Sequence, residues 1–516
     1  MGKKQENKEN ALTLQISSTQ DSMRRLKKIT VGFFLITLSW VTDLNATELH
    51  IGIATADITP ALPVALLGQF NLRIARTAAT PLTANVVAME SREGDQSLDI
   101  AIMVSCDLIG IPTMLLKMVR DKVHQRLPAL DVKKIFLNAI HTHTAPVLEN
   151  NFEFFGYQIP REGVTQVDAY QEFFAQQVAE AIVKAWNDRR PGSVTWGLGH
   201  AVVANNRRAV YADGSAQMYG ETNVPQFRNI EGYEDHDVNI LFFWNQNKKL
   251  IAMCIDVACP AQEVENDTIM NADYWYPVRE KLKQRFGADL CVLGWIGAAG
   301  DQSPHLMYRK AAEERMRKLS NLSRLEEISR RIVTAVYEVY EVVKDDRHTD
   351  APLIHKVESF MLPKQSVTEA EYTEAKAIHD NAAAKIVADP KAADEVFSIM
   401  NWYGSVVKRF EKQKTDPQSK YEMELHVLRI GDVAVCTNEF ELFTDYGIRI
   451  QARSKALQTF VLELVGPGDY YLPTERAVRG GSYSAIVESN LVGPEGGQIL
   501  VDRTVELINS LWPEMK

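Results

Sequence analysis

A mixed α/β fold, with β-sheets covered by helices, is what the 516-residue sequence predicts. Three observations carry that prediction. Apolar, β-branched runs alternate with stretches of helical period along the first part of the chain, the pattern of strands packed under helices. Several of these runs end in polar or glycine-rich turns, where α/β sheets gather their ligands. No fixed-period repeat, low-complexity tract or long Pro/Ser linker divides residues 47–516, so they read as a single domain. Composition is that of a globular protein, 46% hydrophobic and 24% charged. The formal net charge of −10, with no basic stripe, speaks against nucleic acid as a partner.

Taken in order, Glu48 to Asp57 reads as a strand ending at Thr59-Pro60, followed by β-rich runs over Ala84–Ser91 and Leu98–Ser105. Helical spacing covers Thr113–Gln125 and Asp168–Asn187. Strands are expected at Val194–Val203, Val238–Phe243 and Leu250–Ala258, and at Leu290–Ile296, which runs into Gly297-Ala298-Ala299-Gly300. Glycine there permits a tight turn. Tyr308–Val343 reads as one long charged helix, and Glu369–Lys414 as part of a helical excursion around residues 364–420. Met423–Cys436 returns to strand pattern, Glu441–Ser454 is helical, Phe460–Val465 a strand, and Thr504–Trp512 a closing helix.

The amino-terminal 46 residues have the layout of a secretory signal. Met23-Arg24-Arg25-Leu26-Lys27-Lys28 is basic, Ile29 to Val41 is mostly apolar, and Leu44-Asn45-Ala46 offers a small residue for cleavage. Residues before Met23, the expected working start, read as a start-site extension. The apolar run is short for a membrane span. The mature chain is therefore expected to lack a transmembrane segment and to be secreted or periplasmic. The five cysteines, Cys106, Cys254, Cys259, Cys291 and Cys436, are an odd set in apolar surroundings and read as free buried thiols.

Chemistry concentrates at Ile135-Phe136-Leu137-Asn138-Ala139-Ile140-His141-Thr142-His143-Thr144. On an extended backbone residues i and i+2 face the same way, so both imidazoles are expected to reach one point at a strand's carboxyl end. Neutral imidazole is a common metal ligand, although a bare H-x-H is as often a core or loop pair.

Several separated segments together resemble the neutral/alkaline non-lysosomal ceramidases. Gly52-Ile53-Ala54-Thr55-Ala56-Asp57-Ile58-Thr59 is similar to that family's opening G-x-x-x-x-D-I-T, His141-Thr142-His143-Thr144 to its H-T-H-S, and Gly300-Asp301-Gln302-Ser303-Pro304 to its G-D-V-S-P. Phe440-Glu441 with Gly447, and Tyr471-Leu472-Pro473-Thr474 with Tyr483, match its later segments. The resemblance covers most of residues 47–516. It implies the family's catalytic-domain fold and a Zn2+-dependent hydrolase of an amide (N-acyl) or ester bond. The implied ion is held by His141, Glu441 and Tyr471. His143 is implied as a positioning or proton-shuttling neighbour and Tyr483 as a donor to the oxyanion. Ser303 matches the family's catalytic serine, with Asp301 beside it. The family's N-R pair falls at Asn206-Arg207-Arg208. Asn206 and Arg208 are read as substrate-binding, with a surface ion pair as the competing role.

The chain departs from the family at one ligand. A second strand histidine is expected after the apolar run, but this chain has Ile255-Asp256-Val257-Ala258-Cys259-Pro260-Ala261-Gln262, then Asn271-Ala272-Asp273. Cys259, Gln262 or Glu263 in its place, His143 moved inward, a harder divalent ion, or none, all remain open, since zinc sites usually have at least three firm protein ligands. The family's carboxyl-terminal β-sandwich is also expected to be missing. A small-molecule substrate is implied, either a lipid or, favoured by Tyr274-Trp275-Tyr276, a carbohydrate or glycoconjugate. A third reading is an exported binding protein with a degenerate site. Asp107, at the end of a strand, reads either as a site residue or as a cap.

Overall fold

A computed structural model describes residues 47–149, 156–467 and 470–512. The predicted leader lies outside the described residues. The core sheet has strands β1 (Glu48–Asp57), β2 (Thr83–Glu93), β3 (Gln96–Cys106), β4 (Ile135–Ala139), β5 (Arg190–His200), β6 (Asp237–Asn245), β7 (Leu250–Val257) and β8 (Cys291–Ile296). Their order is β8-β7-β6-β5-β1-β2-β3-β4. The inner pairings are antiparallel, while β8 on β7 and β4 on β3, at the two edges, are parallel. This is the mixed α/β arrangement the sequence predicts.

Helices cover the sheet because their apolar residues recur on one face. In α1 (Val167–Asn187), Tyr170, Phe174, Val178 and Ile182 repeat at i+4 and are buried against the small residues Ala54, Ala56, Ala84 and Ala88 of β1 and β2. At Gly52 an added Cβ would fall 1.8 Å from the Ala185 carbonyl oxygen, so only glycine admits this helix so close. A second sheet, of Leu353–Pro363, Lys420–Ile430, Val433–Thr437 and Gln458–Leu462, packs on the first through Trp295 and Phe460.

The two edge strands carry the site. Asn138 of β4 donates through Nδ2 to the Gly294 carbonyl of β8 at 3.0 Å, and Ser105 Oγ of β3 donates to the same oxygen at 2.7 Å. The carboxyl ends of β4 and β8 therefore lie side by side although the strands stand at opposite ends of the hydrogen-bonding order. The amide of Ala261, beyond β7, donates to the Ile140 carbonyl, and the amide of Glu463 to that of Ile296. Four strand ends thus open onto one place.

Some expectations are revised. The single helix expected over Tyr308–Val343 is two, Lys310–Leu319 and Arg324–Val343. Ser323 and Glu326 form a reciprocal capping box that starts the second. The helical excursion is a pair, Glu369–Ala388 and Ala393–Thr415, broken at Asp389-Pro390. Met423–Cys436 is two strands turning at Gly431 (φ 61°). Glu441 and Leu442 are strand, and the helix expected there begins at Thr444. The closing helix starts earlier, at Pro494. The five cysteines are free and buried. Among the described residues no helix is long and apolar enough to cross a membrane.

Candidate active site

His141 follows β4 in a left-handed turn (φ 60°), and is nearly fully buried. The strand has already ended at Ala139. The two imidazoles do converge, but through this turn rather than through strand alternation. A non-glycine residue held in this region is uncommon and marks over-determined surroundings. The Ile109 carbonyl accepts from His141 Nδ1 at 2.7 Å, so in the neutral ring Nε2 carries the lone pair. That Nε2 lies 3.2 Å from His143 Nε2 and 3.5 Å from Glu441 Oε2.

Glu441 and Tyr471 arrive together because their two-residue strands, Glu441–Leu442 and Tyr471–Leu472, pair in parallel with Glu441 opposite Tyr471. Gly300 backs this pair. A Cβ there would lie 2.3 Å from the Glu441 carbonyl oxygen, and its amide donates to Leu442. Burial, then the Glu441 carboxylate and Tyr483, hold the Tyr471 phenol well above its ordinary pKa. The Tyr483 ring meets that of Tyr471 edge-on at 5.6 Å.

The buried Arg207 guanidinium closes one side. Its Nη2 donates to the Gly300 carbonyl at 3.0 Å and Tyr471 Oη at 3.4 Å, and lies 3.6 Å from Glu441 Oε2. Its Nη1 donates to Tyr219 Oη and Gln262 Oε1, each at 3.2 Å. The arginine at the site is therefore Arg207, not Arg208. Arg208 is turned the other way and committed to Glu231 at 2.7 Å and to the carbonyls of Ala477, Gly481 and Tyr483. Asn206 likewise faces inward, donating to Asp301 Oδ2 at 2.8 Å while its own Oδ1 accepts from the Arg208 amide.

Asp301 uses its other oxygen on the Thr444 amide and hydroxyl, at 2.9 and 2.8 Å. It staples the Gly300 turn to the start of the helix after Glu441 and does not face His141. Ser303 Oγ accepts from Tyr219 Oη and the His305 amide, both at 3.0 Å, so it reaches the centre only through Tyr219 and Arg207. Asp107 is a buried structural carboxylate bound by Thr83 and Arg279. Tyr274 and Trp275 are wholly buried in the core rather than at the site.

His143 stands at the solvent side. Gln262 Nε2 approaches its Nε2 at 2.8 Å, and Glu265 Oε2 lies 3.6 Å from its Nδ1. Burial, then the neighbouring His141, lower its pKa to about 3, so the ring is neutral at ordinary pH. Glu265 is pulled down to about 2: burial opposes ionisation, but the His305 hydrogen bond at 3.1 Å and the charges of His143, His305 and Arg207 outweigh it. Gly68 (φ 111°) packs flat against His143, where a Cβ would lie 2.6 Å from Cγ. Arg207, Glu265, His305 and Gly68 escape a sequence reading. The N-R pair of the resemblance points to the first, but the other three belong to loops.

Two walls of different character flank the centre. From Tyr471 and Tyr483 an aromatic wall continues to Trp402 and Phe70, with Trp402 supplied by the second excursion helix. On the other side are Tyr219, His305 and Glu265, with the Tyr219 ring exposed.

The donor chemistry fits a metal ion. An imidazole nitrogen, a carboxylate and a phenol meet at one place, and His141 has the second hydrogen bond through Nδ1 that orients metal-bound imidazoles. The 3.5 Å between His141 Nε2 and Glu441 Oε2 is a separation that two ligands of one ion, each about 2 Å from it, can have. Among the described residues no three His, Cys, Asp or Glu side chains form a group that could hold a metal ion.

Fold and site together define an α/β protein with a buried His/Glu/Tyr centre at clustered strand ends. The fold is that of the neutral ceramidases. The chain superposes on the crystal structure of neutral ceramidase from Pseudomonas aeruginosa with a TM-score of 0.65 at 16% identity, covering 90% of this chain and 74% of that one. It superposes on a ceramidase complexed with C2 with a TM-score of 0.62 at 14% identity, covering 90% and 75%. No protein-family model matches the sequence, and no curated protein matches it.

Proposed function

We propose that this chain is an exported, metal-dependent hydrolase that cleaves the amide (N-acyl) bond of a lipid, as a ceramidase does. The observation that carries this reading is the meeting of His141 Nε2 and Glu441 Oε2 at 3.5 Å, with Tyr471 paired opposite Glu441. His141, Glu441 and Tyr471 would hold the ion, Zn2+ by donor type. When bound, zinc polarises a carbonyl and makes a bound water acidic enough to attack at neutral pH.

The chain's own residues supply the rest. Arg207, fixed by the Gly300 carbonyl and Tyr219, brings a permanent positive charge to the edge of the centre. Tyr483, kept protonated by burial and by Glu441, is a phenol donor for a developing oxyanion. Ser303 holds the Tyr219 hydroxyl, which Arg207 also contacts, and so shapes the polar side of the opening. The aromatic wall of Tyr483, Trp402 and Phe70 suits an acyl chain.

The polar wall favours a second reading for the remainder of the substrate. Exposed Tyr219, with Glu265 and His305 beside it, suits a hydroxylated headgroup or sugar, so an N-acylated glycoconjugate stands as the alternative. A panel of N-acylsphingosines and N-acylated sugars, assayed with zinc and with chelator, tests both. Release of fatty acid from N-acylsphingosine, lost on chelation and restored by zinc, is expected. Turnover of acylated sugars alone selects the second reading, and undiminished turnover in chelator refutes the metal.

A further inference from the structure

We propose that Arg208, forked onto Glu231, is the positioning residue for Tyr483: it fixes the loop that holds the Tyr483 phenol where an oxyanion would form. The inference rests on the reading of Tyr483 as a donor given above, and names what keeps that donor in place. Arg207 and Arg208 are consecutive but point to opposite sides. Arg207 turns to Glu441 and Tyr471, and Arg208 turns to residues 477–484. The Arg208 side chain is wholly buried and pairs with Glu231 through two bonds, Nε to Oε2 at 2.7 Å and Nη2 to Oε1 at 3.2 Å. The Glu231 amide donates to the Arg208 carbonyl at 2.9 Å, so backbone and side chains of the pair form one frame.

The other acceptors of Arg208 belong to the stretch that carries Tyr483. Its Nη2 donates to the carbonyls of Gly481 at 2.8 Å and Ala477 at 3.2 Å. Its Nη1 donates to the Tyr483 carbonyl at 3.2 Å and to Ser484 Oγ at 3.3 Å. Tyr483 stands between two serines in the left-handed region, Ser482 (φ 72°) and Ser484 (φ 75°). Serine, unlike glycine, is disfavoured there, and such a doubled kink persists only where its surroundings over-determine it. Arg208 bonds the chain at Gly481, before the first kink, and at Tyr483 and Ser484 after it.

Ring contacts alone do not set the hydroxyl. Tyr483 meets Tyr471, Trp402 and Phe70 at tilted or edge-on angles, with centroids 5.6, 5.7 and 6.4 Å apart. Such pairs attract over a range of about 4.5–7 Å, too broad to place a donor. A misplacement of about 1 Å can cost an enzyme about 100-fold, so the backbone that carries the phenol has to be held. From the far side Ser489 Oγ accepts from the Ser484 amide and Asn490 Nδ2 donates to the Ser484 carbonyl, each at 3.3 Å. Arg208 closes the near side, and with Arg207 beside it one dipeptide ties the Tyr483 loop to the Glu441–Tyr471 pair.

The test is a double-mutant cycle in steady-state kinetics on the full chain, with zinc present and an N-acylsphingosine as substrate. Tyr483→Phe should lower kcat by about 100-fold. Arg208→Met should lower kcat at least about tenfold, with KM within about threefold. In the Tyr483→Phe background the same substitution should cost less than about threefold, because no hydroxyl is left to misplace. Arg208→Lys keeps the charge opposite Glu231 but offers one nitrogen in place of the fork. It should show the same non-additivity, and it takes the place of Arg208→Met if that variant does not fold. Equal losses in both backgrounds, or unchanged kcat in the Arg208 variants, overturn the assignment and leave the pair structural, as does failure of both to fold. Wild-type kcat in Tyr483→Phe overturns instead the reading of Tyr483 as the donor, and no turnover by the wild type overturns the ceramidase-like reading itself.

Discussion

Replacing Arg207 with methionine separates the two positive charges that Glu441 is argued to see. Methionine keeps much of the stem volume and removes the charge. In the metal-free chain Glu441, itself nearly buried, then loses the guanidinium 3.6 Å away, while the Gly300 carbonyl and Gln262 Oε1 lose their donor. Stranding one member of a buried ion pair costs about 3–5 kcal/mol. The pair here is longer than a direct hydrogen bond, so the lower end, about 3 kcal/mol, is expected in urea unfolding. Saturating zinc supplies a new countercharge to the same carboxylate. The Arg207→Met loss should therefore shrink by at least about 1 kcal/mol when zinc is present, equivalent to a roughly fivefold shift in zinc affinity between wild type and variant. A loss of the same size with and without zinc would falsify the claim that Arg207 and the ion share Glu441.

Other consequences are as specific. Gly68→Ala places a Cβ 2.6 Å from the His143 ring at a φ of 111°, so kcat should fall at least tenfold while circular dichroism stays native; unchanged kcat would show the ring position to be immaterial. Asp301→Ala frees the Thr444 amide and Asn206, which should cost about 1–3 kcal/mol in urea unfolding. Burial pushes the half-buried Glu439 carboxyl up to about 7 from its usual 4.5, against the opposing pull of its Tyr421 hydrogen bond. The folded state then binds a proton that the unfolded state has given up. Stability from this group falls as pH rises from about 4.5 to about 7, by up to about 3 kcal/mol. Glu439→Gln should flatten that part of the stability–pH curve, and an unchanged slope would contradict the assignment.

Where local pattern decides structure, the sequence is legible. Strand β1 spans the predicted Glu48–Asp57, and helix α1 starts one residue before its predicted Asp168, because apolar period alone sets which face is buried. Breaks within a continuous helical pattern are harder. The Ser323–Glu326 capping box lies inside a stretch of continuous helical spacing, and its reciprocal bonds begin a second helix there. Pairings between distant segments are harder still. Glu441 is strand because Tyr471 lies opposite it, and nothing local to Thr444–Arg453, a good helix, says so. At the site, the resemblance names His141, Glu441 and Tyr471, and the structure brings all three together. It turns Arg208 and Asn206 away because their polar atoms are spent on Glu231 and Asp301. Glu265 and His305 are loop residues whose position depends on Arg73, nearly two hundred residues away in sequence (Glu265 lies 192 residues from it).

A crystal structure of the zinc-loaded protein, with anomalous scattering recorded at the zinc edge, is the most direct test of the central claim. One anomalous peak about 2 Å from His141 Nε2, Glu441 and the Tyr471 oxygen is the predicted result. A peak bound elsewhere, or none at this centre with zinc in excess, would contradict it.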